Sequence, residues 1–242
     1  MSNFNTLGIS REILFNINNL KLTNPTPIQQ KAIIPALEGK DILANAKTGT
    51  GKTAAFGIPL IQKLNENKHM SAIILTPTRE LALHVDKHIK DLMGNNIKIK
   101  SIVIIGGESI QKQIKLIKNQ PRLIIGTPGR ICDHLNKGTL KLNEISYLVL
   151  DETDRMLDLG FSVQIKKIIK FIPKKRQTLL FSATIPKNIE KISHEYLQNP
   201  IRISIPDDKQ ILTNIKHNVV NLNSNEKYEK LLEEIDSRVG AL

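Results

Sequence analysis

The chain has 242 residues, more than one average domain of about 150 and fewer than two, and its 40% hydrophobic and 24% charged content excludes wholesale disorder and a collagen-like repeat. A single cysteine, Cys132, excludes an internal disulfide and with it the small secreted scaffold and the cysteine-rich zinc module; residues 1–10 carry neither a charged n-region nor an apolar h-region, and no apolar run approaches the roughly 18 residues of a membrane span, so the expected setting is reducing and cytoplasmic. Thirty-five Lys and Arg against 23 Asp and Glu give a net charge of +12, which favours a polyanionic partner, although the richness in Lys, Asn and Ile leaves compositional drift as a second source of the excess.

In chain order the apolar pattern predicts helices over 10–19 and 27–38, a strand over 41–44, a helix over 52–65, a strand over 71–75 and a helix over 79–93. Strands follow over 101–105 and 122–125 with a helix over 108–119 between them, then a helix over 128–136, a strand over 146–150, a helix over 162–171, a strand over 177–181, a helix over 187–197 and a strand over 201–205. Alternation on this scale predicts an α/β fold, a mostly parallel sheet with helices on both faces. Runs such as Ile102-Val103-Ile104-Ile105 are apolar throughout, as strands covered on both sides must be. After residue 205 the polar break at 206–209 precedes an apolar stretch over 215–222 and one amphipathic stretch over 226–235, too little to close a second core. The expected organisation is a leading region over 1–30, a main domain over 31–205, and a linker with the incomplete start of another domain over 206–242.

Ala46-Lys47-Thr48-Gly49-Thr50-Gly51-Lys52-Thr53 follows the first predicted strand and opens a helix. Glycines there let backbone amides fold around phosphate oxygens, Lys52 reaches the terminal phosphates, and the Thr53 hydroxyl takes a site on Mg²⁺. The strict phosphate-loop pattern has Gly where this chain has Ala46. Gly49-x-Gly51-x-x-Ala54 also satisfies a loose dinucleotide fingerprint, but position 71, about 20 residues on, is Ser rather than the acid a ribose contact needs. Asp151-Glu152-Thr153-Asp154 stands where a predicted strand ends, so its carboxylates leave the carboxyl edge of the sheet, where such folds bind ligands. Asp151 supplies the acid a bound metal needs and Glu152 is placed to orient a water for attack on the γ-phosphate. Taken alone, the same acids also suit a cap on the next helix. Together the two motifs point to nucleoside-triphosphate hydrolysis.

Five further motifs accompany these two: Asn24-Pro25-Thr26-Pro27-Ile28-Gln29, Pro77-Thr78-Arg79-Glu80-Leu81-Ala82, Gly106-Gly107, Thr127-Pro128-Gly129-Arg130 and Ser182-Ala183-Thr184. In their order and spacing the chain resembles the first RecA-like domain of the DEAD-box ATP-dependent RNA helicases over residues 4 to 205. The resemblance implies a RecA-like P-loop fold, ATP and Mg²⁺ as cofactors, RNA-stimulated ATP hydrolysis coupled to local duplex separation, and RNA held by its backbone without sequence preference.

It also implies roles by position. Gln29 corresponds to the glutamine that reads the adenine edge, while Thr26-x-x-Gln29 with Pro27 at the first helical position is equally a capping box. Phe4 falls where the family carries an upstream aromatic, and the family's glycine-aromatic pair before the glutamine motif is here Lys21-Leu22, which implies weakened adenine binding. Ala46 to Thr53 form the ATP loop, with Lys52, Asp151 and Glu152 catalytic and Thr53 and Asp151 on the metal. Thr78, Arg79, Gly107, Thr127, Gly129 and Arg130 match positions that hold the RNA backbone, although each arginine taken singly suits a solvated surface. Asp154, Ser182 and Thr184 match the contact that couples nucleotide state to strand separation, whereas a Ser and a Thr after a strand are otherwise turn residues. Thr153 stands where the family has alanine.

His84 and His88 have the spacing of a metal pair, but no third ligand accompanies them and a solvated helix face is the expectation. Cys132 reads as a small buried apolar residue. The motifs of the family's second domain are not found among the 242 residues, so the sequence as it stands is expected to bind ATP weakly and turn it over slowly, because arginine fingers are worth about 10³ to 10⁵ in rate. Two other readings stand beside the helicase: a fragment that binds RNA without useful catalysis, and a DNA-directed relative.

Overall fold

The structure is a computed structural model that describes residues 3–205, 219–223 and 225–237. It divides into two compact units, Met1–Ile205 and Pro206–Leu242.

The first unit is built on seven strands: β1 (Ile42–Asn45), β2 (Ser71–Leu75), β3 (Ser101–Ile104), β4 (Leu123–Gly126), β5 (Ile145–Leu150), β6 (Gln177–Ser182) and β7 (Ile201–Ser204). They form one sheet in the order β3-β4-β2-β5-β6-β1-β7, and every pairing is parallel. The helices are α1 (Arg11–Asn19), α2 (Pro27–Leu37), α3 (Lys52–Glu66), α4 (Arg79–Met93), α5 (Ile110–Lys118), α6 (Pro128–Asn136), α7 (Thr153–Asp158), α8 (Ser162–Lys170) and α9 (Lys187–Tyr196). The expected α/β fold with covered faces is what the backbone adopts.

Strand side chains alternate between two apolar clusters, one for each face. Ile42 and Ala44 of β1, Ala72 and Ile74 of β2 and Leu179 and Phe181 of β6 join the cluster that α1, α2, α3 and α4 cover. Leu43, Ile73, Leu75 and Leu180 face the other cluster, which includes Ile131, Ile165, Ile168 and Ile189 from α6, α8 and α9. Such double coverage is why β4 and β6 are buried along their whole length and why the sequence of β4 reads as an apolar run.

Two elements escaped the sequence pattern. A single 3-10 turn over Phe4–Thr6 is opened by Asn3, whose side chain accepts from the Asn5 amide at 3.2 Å. The other is α7, too short at six residues to display a helical apolar period, and it starts from Glu152, whose backbone is left-handed at φ 49°. Lys21 is left-handed as well, at φ 57°, so the chain keeps at this position the backbone turn that a glycine adopts without strain.

In the second unit α10 (Lys227–Asp236) carries no buried residue, and Tyr228, Leu231, Leu232 and Ile235 are exposed on it. Residues 219–223 form no regular element, and residues 206–218, which take in the expected polar break at 206–209 and the first half of the apolar stretch over 215–222, lie outside the described residues. No helix among the described residues is long and apolar enough to cross a membrane.

Gly126 ends β4 close against the neighbouring strand β3. A Cβ there meets the Ile104 carbonyl oxygen, which is itself fixed by the Thr127 amide at 3.1 Å, and lies 3.1 Å from Ile131 Cδ1. Gly126→Ala is therefore expected to cost about 1–3 kcal/mol by overpacking. Gly129→Ala, whose Cβ meets nothing within 4 Å, is expected to leave stability within about 0.5 kcal/mol. Urea unfolding of both variants checks the contrast.

Candidate functional site

Every motif singled out beyond residue 40 lies just past the carboxyl end of a strand. The loop after β1 carries Ala46 to Gly51, that after β5 carries Asp151 and Glu152, and β6 ends in Ser182 with Ala183 and Thr184 beyond it. Since β5, β6 and β1 are neighbours, the three loops converge on one rim of the sheet. The Ala46 amide donates to Ser182 O at 3.0 Å and the Asp151 amide to Leu75 O at 3.0 Å, so each loop leaves its strand as a continuation of the ladder.

The loop from Ala46 to Thr53 is shaped by two left-handed glycines, Gly49 at φ 83° and Gly51 at φ 89°. Gly51 is the N-cap of α3, and a side chain there would strike the Gln29 amide. Gln29 is 6% exposed; its Oε1 accepts from the Thr26 amide at 2.9 Å and its Nε2 donates to Gly51 O at 3.1 Å. It thus caps its own helix and braces the loop at once. Thr50 closes the loop on itself by donating to Lys47 O at 2.7 Å.

Lys52, the first residue of α3, is 6% exposed, and its Nζ is buried with no hydrogen-bond partner. A buried ammonium without partners is costly unless an anion completes it. Asp151 is 2% exposed, and burial pushes its carboxyl up to about 6, with the positive charge of Lys52 opposing that rise. One Asp151 oxygen accepts from the Glu152 amide at 3.0 Å. Glu152 accepts from Thr48 Oγ1 at 3.1 Å, a side-chain bond that joins the two loops directly, and lies 3.4 Å from Arg155 Nη1. Phosphate-loop residues and acidic residues are thus brought together, with Thr53 half-buried beside Lys52.

A Mg²⁺ ion is commonly held by one or two carboxylates, a hydroxyl and substrate phosphates rather than by a full protein cage. The donor set of Thr53 and Asp151 suits that arrangement, and among the described residues there is no group of three or more His, Cys, Asp or Glu able to hold a metal alone. His84 and His88 stand edge to face at 6.3 Å on α4, with His84 exposed, as a solvated helix face requires, and His88 half-buried, where burial holds its imidazole low.

Asp154 occupies the hinge between the acidic loop and β6. Its Oδ2 accepts from the Ala183 amide at 3.1 Å, the Thr184 amide at 2.9 Å and Thr184 Oγ1 at 3.1 Å, and its own amide donates to Ser182 Oγ at 3.2 Å. Thr153 is fully buried, and its hydroxyl lies 3.3 Å from Leu150 O and 3.2 Å from Phe181 O. The hydroxyl that replaces alanine therefore faces the seam between β5 and β6, where it adds a tie.

The remaining motifs follow β2, β4 and β3, the other half of the sheet. Thr78 caps α4 by accepting from the Leu81 amide at 3.2 Å, and Arg79 is exposed, its guanidinium lying over Gly106 and Gly107 so that a Cβ on Gly107 would push it aside. Thr127 is the N-cap of α6, Gly129 opens on free space, and Arg130 lies in the first turn, donating from Nη1 to Glu108 O at 2.9 Å and to Gln113 Oε1 at 3.1 Å.

Phe4 is 3% exposed and belongs to the main apolar cluster with Leu7, Ile9 and Ile13. Cys132 is 7% exposed, and burial pushes its thiol up, so it is packed and unreactive. Sequence reasoning passed over Gln113 and His134, 1% and 0% exposed. The available signal was a polar residue at an apolar-face position of each helix, beside Ile117 in α5 and beside Ile131 and Leu135 in α6.

Residues 26–192 match the model of the DEAD/DEAH box helicase family. The chain is 45% identical over 233 residues to the ATP-dependent RNA helicase DbpA of Bacillus subtilis (strain 168), which takes in 96% of this chain and 48% of the relative. It is 40% identical over 235 residues to the DEAD-box ATP-dependent RNA helicase RhpA of Helicobacter pylori (strain ATCC 700392 / 26695), covering 97% and 48%. The crystal structure of a DEAD box protein from the hyperthermophile Methanococcus jannaschii is similar at a TM-score of 0.81 and 44% identity, over 97% of this chain and 63% of that one. The chain spans about half the length of the curated relatives it matches.

The raised Asp151 carboxyl sets a stability trend. Between about pH 4, the range of an unfolded aspartate, and pH 6 the folded chain holds a proton that the unfolded chain has released, so stability falls as pH rises through this window. Asp151→Asn is expected to be more stable than the parent by up to about 3 kcal/mol at pH 7.5, and the difference is expected to vanish below about pH 4. Urea titrations of both proteins across that range check it.

Proposed function

The chain belongs to the DEAD/DEAH box helicase family, and on that premise we propose that its first unit is the ATP-binding part of an ATP-dependent RNA helicase. The observation that carries this reading is Lys52, a buried ammonium with no hydrogen-bond partner at the head of α3, beside a buried Asp151. A triphosphate supplies the anion that this ammonium lacks.

In this reading the loop from Ala46 to Thr53 wraps the phosphates, with Lys47, Thr48, Gly49, Thr50 and Gly51 offering backbone amides and Lys52 neutralising the terminal oxygens. Mg²⁺, when bound, offsets charge that develops on the phosphate oxygens; Thr53 and Asp151 are the residues that would hold it. Glu152 orients the attacking water and takes its proton, its carboxylate held in place by Thr48 and Arg155. Gln29 uses one lone pair and one N–H internally, which leaves one acceptor site and one donor for the adenine N6 amine and N7. Phe4, almost wholly packed, supports that end through the core.

RNA is read as backbone. Thr78, Arg79, Gly107, Thr127, Gly129 and Arg130 line the rim beyond β2, β3 and β4, with an exposed guanidinium, an uncrowded glycine and a helix N-terminus for phosphate oxygens. Asp154 bridges to Ser182, Ala183 and Thr184, so a shift of the acidic loop on hydrolysis is passed to the neighbouring loop. The segment 206–242 is read as a linker and the opening of a further domain, and the cytoplasm as the place of action, consistent with a free buried thiol.

Lys52→Ala is expected to weaken binding of a fluorescent, non-hydrolysable ATP analogue at least tenfold while leaving single-stranded RNA binding within about twofold. Arg79→Ala is expected to do the reverse. Equal nucleotide affinity in the parent and Lys52→Ala contradicts the reading. Binding of the magnesium nucleotide is also expected to weaken as pH falls below about 6, because the Asp151 carboxylate must be ionised to serve as a ligand.

A further inference from the structure

Beneath the rim that carries Arg79, Gly107 and Arg130 lies a polar chain with no part in nucleotide binding. Gln113 of α5 is 1% exposed and His134 of α6 is fully buried. The Gln113 amide is oriented by its Nε2, which donates to Ile105 O at 2.8 Å and lies 3.3 Å from Glu108 Oε2. Both of those groups can only accept, so Oε1 is the atom that faces the other way. It lies 3.1 Å from Arg130 Nη1 and 2.9 Å from His134 Nε2.

An acceptor at Nε2 places the imidazole proton there. Nδ1 of the neutral ring is then an acceptor, 2.9 Å from Thr139 Oγ1, whose single proton also has the His134 carbonyl oxygen within reach at 3.1 Å. Burial, the first cause, and the charge of Arg130, the second, both hold the imidazole below its usual range. One glutamine thus ties three segments together: the Ile105–Glu108 loop that contains Gly106 and Gly107, helix α5, and the first turn of α6.

The Arg130 side chain is only 16% exposed, and its reach is fixed at Nη1 by Glu108 O and Gln113 and at Nε by Asp133 at 3.5 Å. None of these contacts uses Nη2, so two N–H donors remain for a phosphate oxygen. Arg79 lies over Gly106 and Gly107 of the same loop. Both arginines are therefore referenced to one short segment, whose carbonyl at Ile105 and side chain at Glu108 are held by Gln113.

We propose that Gln113 and His134 are positioning residues that set Arg130 and the Gly106–Gly107 loop for the RNA backbone. The proposal rests on the RNA reading given above. A buried pair in mutual contact restricts the arginine before RNA arrives, so less ordering remains to be done on binding.

Anisotropy with a short fluorescein-labelled single-stranded RNA tests this on the 242-residue chain, with binding of a fluorescent ATP analogue and a thermal melt read on each variant. Arg130→Ala is expected to weaken RNA binding about tenfold. Gln113→Met, which fills the same space without hydrogen bonds, is expected to weaken it by a similar factor, to leave nucleotide affinity within about twofold, and to add almost nothing in the Arg130→Ala background. Thr139→Val, at a half-buried position, removes the far partner of His134 and serves where Gln113→Met does not fold; about a threefold loss, again absent without Arg130, is expected. Losses that multiply in the double variants, or that strike nucleotide and RNA alike, overturn the proposal. If Arg130→Ala is impaired and neither Gln113→Met nor Thr139→Val is, this inference alone falls. If Arg130→Ala binds RNA as the parent does, the RNA role of α6 falls and takes the inference with it.

Discussion

The first unit depends on a buried charge arrangement that the fold cannot complete by itself. Lys52 brings an ammonium with no hydrogen-bond partner into the interior, and Asp151 brings a carboxyl that burial pushes up to about 6. Both stand at the carboxyl ends of parallel strands, where a loop must turn sharply and where backbone amides at the head of a helix face outward. Most buried polar groups in a stable protein are satisfied, and an unpartnered ammonium such as that of Lys52 is a place where an anion can finish the structure. Left-handed Glu152 belongs to the same economy, since a strained residue persists only where its surroundings hold it, here through Thr48 and Arg155.

Strand order then separates the two chemistries without separating the elements that carry them. The loops after β1, β6 and β5 hold the phosphate motif, the Ser182–Thr184 loop and the acids, whereas those after β2, β4 and β3 hold the two arginines and the glycine pair. The boundary runs between β2 and β5, which pair directly, and the Asp151 amide is bonded to Leu75 O of β2. A shift at the nucleotide is therefore one strand away from the surface read as the RNA rim. Asp154, bonded to Ser182 at the end of β6 and to Ala183 and Thr184 beyond it, links the acidic loop to the loop after β6.

Strands and long helices were legible because double coverage writes itself as unbroken apolar runs, and each predicted strand lies within one residue of the observed bounds. The loop after β1 was legible as a motif because glycines at positive φ and a buried lysine leave few residue types able to serve. What escaped was either short or written in long-range contacts. Helix α7 spans too few residues for a period to show, and the partners of Gln113 are 5 to 21 residues away, as far as His134. Lys21 shows the reverse: its sequence announces a lost glycine, yet the backbone keeps the left-handed turn at φ 57° while Leu22 packs against the core. Thr153 likewise reads as a change within a catalytic motif, and only the contacts to Leu150 O and Phe181 O reveal that its hydroxyl faces the seam between two strands.

The account stands on one triphosphate seated between Lys52 and Asp151. Crystals of the chain grown with a non-hydrolysable ATP analogue and Mn²⁺ in place of Mg²⁺ test it most directly, through anomalous scattering from the metal. The predicted result is a metal peak bonded to Thr53 Oγ1 or Asp151, directly or through water, with a phosphate oxygen against Lys52 Nζ. A nucleotide bound elsewhere on the sheet rim, or one bound here with the lysine still unpartnered, would contradict the account.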